Sequence, residues 1–236
     1  MKSKVWALFF SLTTLLAGCG SSGEDFASQD PSAYAVSPNS FDVRLGWTIM
    51  AGYGYARQMQ ISGTCSGDMQ LAQTPYTNLE NSSNSYKSQT LIGVIYNDCT
   101  DGSIASRPAS STLKTIQYDA NELDAYIEVG NQYGVWQSAP KFPTAGKVGD
   151  RGDVGEIALY DLNSHDSIGK EVWTYTIEPD TATTVAFNLT KTSYLASDLA
   201  HPTKTEHNKY RVLPDSSLYL ISIHSTDDTC FVFHAQ

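Results

Sequence analysis

Trp173-Thr174-Tyr175-Thr176-Ile177-Glu178-Pro179-Asp180-Thr181, followed by Val185-Ala186-Phe187-Asn188-Leu189, decides the fold. Apolar and aromatic side chains take every second position on both sides of a Glu-Pro-Asp-Thr break, so each run turns one face to a core and the other to water. Proline presets φ and aspartate hydrogen-bonds to its own nearby backbone, which makes the break a turn. The stretch predicts an antiparallel hairpin.

The same pattern recurs outward from it. Tyr210 and Val212 lead through Pro214-Asp215-Ser216-Ser217 into Leu218, Leu220, Ile221 and Ile223, a second hairpin. Leu123 to Val129 alternates, stops at Gly130-Asn131 and resumes at Tyr133 and Val135-Trp136, which predicts a third. A helix from Asp119 to Val129, capped by Asp119 or Asn121, is the competing reading there. Further upstream, Phe41, Val43, Leu45, Trp47 and Ile49 alternate with Asp42, Arg44, Gly46 and Thr48, the pattern of a half-buried strand. Tyr96 to Ser111, rich in Ser, Asp and Gly, reads as loop. Nothing offers a long amphipathic helix or the strand-helix alternation that a parallel sheet requires. The expected fold is all-β, of antiparallel meanders and hairpins, arranged as a sandwich or a curved half-barrel. A soft boundary near Tyr118 divides an N-terminal β region, 41–118, from a C-terminal meander, 119–236; one continuous domain over 41–236 is the alternative.

The first residues carry a different signal. Lys2 and Lys4 precede an apolar run from Val5 to Leu16, and Leu16-Ala17-Gly18-Cys19 closes it. The run is too short to span a bilayer, which takes about 20 apolar residues. The tetrad resembles the lipobox of bacterial lipoproteins, over residues 1–19. That resemblance implies removal of a signal peptide, 1–18, and acylation of Cys19 with palmitate-type chains. Each buried methylene is worth about 0.8 kcal/mol, so two or three chains hold firmly. Gly20, in place of an Asp after the cysteine, implies sorting to the outer membrane of a Gram-negative cell, with the periplasmic or surface face left open. Residues 19–40 have few large apolar groups and read as a tether whose r.m.s. reach is about 25 Å. In outline the folded part is similar to uncharacterised β-rich lipoproteins of Gram-negative bacteria, a likeness that carries no activity.

Charge and cysteines agree with export. The formal net charge is -10, and loss of Lys2 and Lys4 makes the mature chain more acidic still. Such a chain lacks the clustered Lys and Arg that nucleic acid or anionic lipid demands, so no nucleic-acid partner is expected. Of the four cysteines, Cys65, Cys99 and Cys230 remain after Cys19, an odd number for an oxidising compartment. Cys65 and Cys99 sit in polar, turn-like surroundings and are expected to pair. Cys230, beside Phe231, Val232 and Phe233, reads as a small buried side chain in a terminal strand, although any two of the three are formally able to pair.

Motifs for chemistry are sparse. Gly63-Thr64-Cys65-Ser66-Gly67 matches the cysteine form of a nucleophile elbow, but the α/β context that gives the elbow its strain is absent. Among the histidines, His165, His201, His207, His224 and His234, no metal-ligand spacing occurs, and His201 with His207 reads as part of a solvated hairpin loop. Asp150, Asp153 and Glu156 are candidate oxygens for a hard cation, without the spacing of an EF-hand loop. Arg151-Gly152-Asp153 spells an adhesion tripeptide within what reads as a charged turn. Trp47, Tyr53, Tyr55, Tyr133, Trp136, Trp173 and Tyr175 form either core or a stacking platform for sugars, depending on exposure. Asn81 and Asn188 fit glycan acceptors, a match that a bacterial host voids. No catalytic residue and no cofactor is assigned. The expected function is that of a lipid-anchored envelope protein acting as a non-enzymatic binding module, its partner an envelope protein, polymer or apolar ligand. The alternatives are a carrier of hydrophobic cargo in a half-barrel and, behind it, a hydrolase.

Overall fold

The computed structural model of the protein describes residues 37–79, 85–99, 109–119, 124–226 and 231–235. The expected signal peptide, Cys19, the expected tether up to residue 36, Asn81 and Cys230 lie outside the described residues. Among those described, one helix, α1 (Val43–Tyr53), precedes thirteen strands. These are β1 (Tyr55–Gly63), β2 (Cys65–Gln73), β3 (Thr77–Asn78), β4 (Tyr86–Cys99), β5 (Ala109–Tyr118), β6 (Asp124–Val129), β7 (Gln132–Trp136), β8 (Arg151–Asp161), β9 (Ser167–Pro179), β10 (Val185–Leu195), β11 (Lys204–Val212), β12 (Leu218–Ser225) and β13 (Phe231–Ala235).

The three hairpins expected from alternation form as β9–β10, β11–β12 and β6–β7, and every ladder is antiparallel. From β4 to β13 each strand pairs with the next, β13 returns to β1, and β2 pairs with both β1 and β4. The sheet thereby closes into a twelve-stranded barrel, with the two-residue β3 continuing the line of β2 along β4. A sandwich or half-barrel keeps edge strands whose unpaired N–H and C=O groups invite association; closure removes them. Asp124–Val129 is strand, so the helical alternative there is not realised. Strands also trim the loop expected over residues 96–111, since β4 runs to Cys99 and β5 starts at Ala109.

Most of the deeply buried inward positions are apolar. Met59, Ile157, Trp173, Ile177, Phe187, Leu189 and Val212 are each 2% exposed or less. At that level a side chain such as Leu or Ile contributes about 1.5–3 kcal/mol relative to exposure. The barrel is a packed core. At the end where the chain enters, it is stoppered by α1 and by Phe142 from the β7–β8 connection: Trp47 stacks on Phe142 at 4.5 Å and meets Trp173 and Tyr210 edge-on at 6.2 and 5.9 Å.

Helix α1 corrects the expected strand over Phe41 to Ile49. The buried positions are Val43, Gly46, Trp47 and Ala51, a helical spacing, while Leu45 is 46% exposed. Asp42 caps the first turn, its carboxylate accepting from Leu45 N–H at 2.8 Å, and Gly54 ends the helix at φ +68°. Gly46 lies against the Ser216 carbonyl, where a Cβ has no room. A twofold alternation survived in the sequence because the exposed Leu45 happened to sit between two core residues.

Candidate functional site

Ala56 pairs with Ala72, Ala72 with Leu91, and Leu91 with Leu113, so one apolar row crosses four strands on the outer wall. The register puts them there: each faces away from the core-facing residues Met59, Leu71, Val94 and Ile116 of its own strand. Because two members are alanines, the wall is hollowed between larger neighbours. The hollow has a volume of about 570 Å³ and is lined by Tyr53, Gly54, Tyr55, Ala56, Ala72, Gln73, Thr74, Gln89, Leu91 and Leu113. Tyr53, at the end of α1, is 81% exposed; Leu91, Leu113 and nearby Ile95 are exposed by 53, 51 and 55%.

Behind the hollow lies a polar brace. The Tyr118 hydroxyl meets Ser88 Oγ at 2.9 Å and accepts from Gln73 Nε2 at 3.3 Å, and Thr90 Oγ1 donates to Gln73 Oε1 at 3.3 Å. All four residues are buried, so this part of the wall is fixed before anything binds. Thr74 Oγ1 accepts from the Gln89 N–H at 3.0 Å and ties the rim.

Charge is thin on this wall. Among outward positions of β1, β2, β4 and β5 stand Gln58, Gln60, Gln70, Gln89 and Gln117, with Asp68 and Lys87 as the charged members. On the opposite side, Glu156 pairs with Lys170 at 2.9 Å and Glu178 with Lys209 at 3.3 Å. Asp180 is gripped by Arg211 through Nε at 2.6 Å and Nη2 at 3.1 Å. Burial pushes the Asp180 carboxyl up, but hydrogen bonds from Arg211 and Thr184 outweigh it and hold the group below the usual range.

A second polar cluster lies inside the barrel. Lys191 Nζ sits 3.1 Å from Glu206 Oε1 and 4.8 Å from the centre of the Trp173 ring. Glu206 also accepts from Asn208 Nδ2 at 2.7 Å, and Glu171 accepts from Trp173 Nε1 and from Ser193 Oγ at 3.2 Å. Burial favours the neutral form of both Lys191 and Glu206. The opposite charges prevail, raising the lysine and drawing the glutamate far below its ordinary value. A lysine held protonated in this way is neither a base nor a nucleophile near neutrality.

The other expected residues scatter. Cys65 and Cys99 form a disulfide across the β2–β4 ladder, Cα atoms 4.0 Å apart, so Cys65 carries no free thiol. Asp150 caps its own loop by accepting from Lys147 N–H at 2.8 Å, Asp153 is exposed on β8, and Glu156 is taken by Lys170. Among the described residues no three His, Cys, Asp or Glu side chains converge on a metal position. Trp47, Trp136 and Trp173 are core. Tyr133 instead joins an outward stack with Tyr126 at 5.5 Å and Tyr160 at 5.1 Å. His201 sits in an exposed turn beside Asp198, whereas His207, expected in a loop, lies on β11 opposite His224 of β12. Comparison with protein families, curated proteins and solved structures yields no match. The site therefore rests on its own geometry. Sequence reading singled out Tyr53 but missed Ala56, Ala72, Leu91 and Leu113, whose only signal was apolar character in the outward phase of strands with alternating cores.

Proposed function

We propose that the protein is a lipid-anchored binding module of the outer membrane, non-enzymatic, which docks an envelope protein through the hollow on its outer wall. The observation that carries the reading is the registered row Ala56–Ala72–Leu91–Leu113 beneath the exposed ring of Tyr53. Depletion of charge with an aromatic and apolar centre and an amide-rich rim is the composition of a protein interface core. A contiguous exposed apolar patch of this kind marks interaction. Two further features support the reading, the first against a cargo carrier and the second against a lipid-facing barrel. The lumen is filled by Trp47, Trp173 and Phe187, and the outward positions bear Gln, Thr, Lys and Glu where a lipid-facing barrel has an apolar band.

The anchor and the site are tested separately. Cys19→Ser is expected to move the protein from the membrane to the soluble fraction; retention overturns the anchor. For the site, a photo-reactive residue placed at Leu113 in cells is expected to give one discrete protein adduct. That adduct should vanish with Ala72→Glu, and the same probe at Thr174 on the opposite wall should give none. Adducts of equal pattern from both walls, or Leu113-dependent sedimentation with purified peptidoglycan in place of a protein adduct, overturn the protein-docking reading.

A further inference from the structure

His207 and His224 stand directly opposite each other on β11 and β12, facing outward, with ring centres 6.2 Å apart. We propose that this pair is an exchangeable site for a nitrogen-preferring divalent transition metal, of which copper(II) binds most tightly. Two imidazole nitrogens at about 2.1 Å from one ion place their ring centres roughly 4.5 to 6.5 Å apart, from right-angled to linear coordination. The observed spacing falls inside that range, so side-chain rotation alone completes the chelate and water fills the remaining positions. Imidazole without thiolate or carboxylate suits copper, nickel and zinc and disfavours calcium or magnesium.

Three local features prepare the pair. Thr190 Oγ1 lies 3.0 Å from His207 Nδ1, an outer-sphere hydrogen bond that fixes the ring and leaves Nε2 for the metal. The ladder slips between Lys209 and Tyr210, and such a bulge adds twist beside the site. Lys209, two residues along the same face of β11, is paired with Glu178.

The test is titration of copper(II) chloride into the detergent-solubilised full chain, read by electron paramagnetic resonance. One equivalent bound through two imidazole nitrogens is expected. His207→Gln and His224→Gln should each weaken binding at least about tenfold, while His165→Gln, His201→Gln and His234→Gln bind as the parent does. Binding unchanged in His207→Gln and His224→Gln, or lost in His201→Gln, overturns the assignment. A second measurement needs no substitution: copper is expected to protect His207 and His224 from diethyl pyrocarbonate while His201 stays reactive. Equal labelling of all the histidines with and without copper overturns it too.

Discussion

Lys191 pairs with Glu206 over the ring of Trp173, with the charge of Glu171 also favouring its ammonium, and both that ammonium and the Glu206 carboxylate are mostly withdrawn from water, at 16 and 25% side-chain exposure. Removing one partner of such a pair is worse than removing both, because the survivor stays buried and unpaired. Lys191→Met is therefore expected to lower stability by about 3–5 kcal/mol, and Lys191→Met combined with Glu206→Leu by clearly less. Urea midpoints of the two variants check this; equal losses would mean that the pair is not coupled. Gly46→Ala is a second single-residue test, since its Cβ meets the Ser216 carbonyl and the Leu218 side chain. Overpacking of this kind costs about 1–3 kcal/mol. Neither position was legible as special. Lys191 lies two residues past Leu189, where the sequence pattern ended its strand, Glu206 fell in what read as a solvated hairpin loop, and Gly46 looked like an outward strand residue.

The turn between β9 and β10 is tied to β11 by Asp180, which accepts from Arg211 and, at 2.5 Å, from Thr184 Oγ1. Its carboxyl is held below the ordinary range in the folded state, so its contribution is complete above the unfolded value of about 3.9 and is lost as pH falls through the lower folded value. Asp180→Asn removes a charged acceptor and should cost about 1.5–3 kcal/mol near neutrality. As pH falls through that lower folded value the variant and the parent should converge; chemical denaturation from neutral to acid pH reads both. For α1 the corresponding test is Asp42→Ala, worth about 1 kcal/mol through the lost cap. This helix was misread as a strand, although its boundaries were written there in Asp42 and Gly54. Twofold alternation over five apolar residues outweighed the caps because periodicity alone does not resolve short apolar runs. The hairpins fared better, since Pro179-Asp180, Pro214-Asp215 and Gly130-Asn131 fix both the turn and the phase of the strands around it.

At the scale of the whole molecule, eleven of the thirteen ladders among the described residues join strands that follow each other directly, and turn signals gave three of these; closure does not announce itself that way. The ladders β1–β13 and β2–β4 join segments whose pairing no turn dictates. For that reason the row Ala56–Ala72–Leu91–Leu113 stayed invisible: it exists only once β2 has skipped β3 to meet β4. The Cys65–Cys99 bridge sits at one end of this skipped ladder, its partners 34 positions apart in the chain. A cross-link of that span restricts the unfolded chain by about 4 kcal/mol in the chain-entropy account. The double variant Cys65→Ser/Cys99→Ser should therefore unfold at lower urea with a loss near that size. The β2–β4 ladder itself carries eight residue pairs, Cys65↔Cys99 among them, so the barrel should still close and the far-ultraviolet circular dichroism should keep its β form. Loss of the β signal would instead make the bridge a requirement for closure. A loss under about 1 kcal/mol would mean that the unfolded chain is already held compact without it.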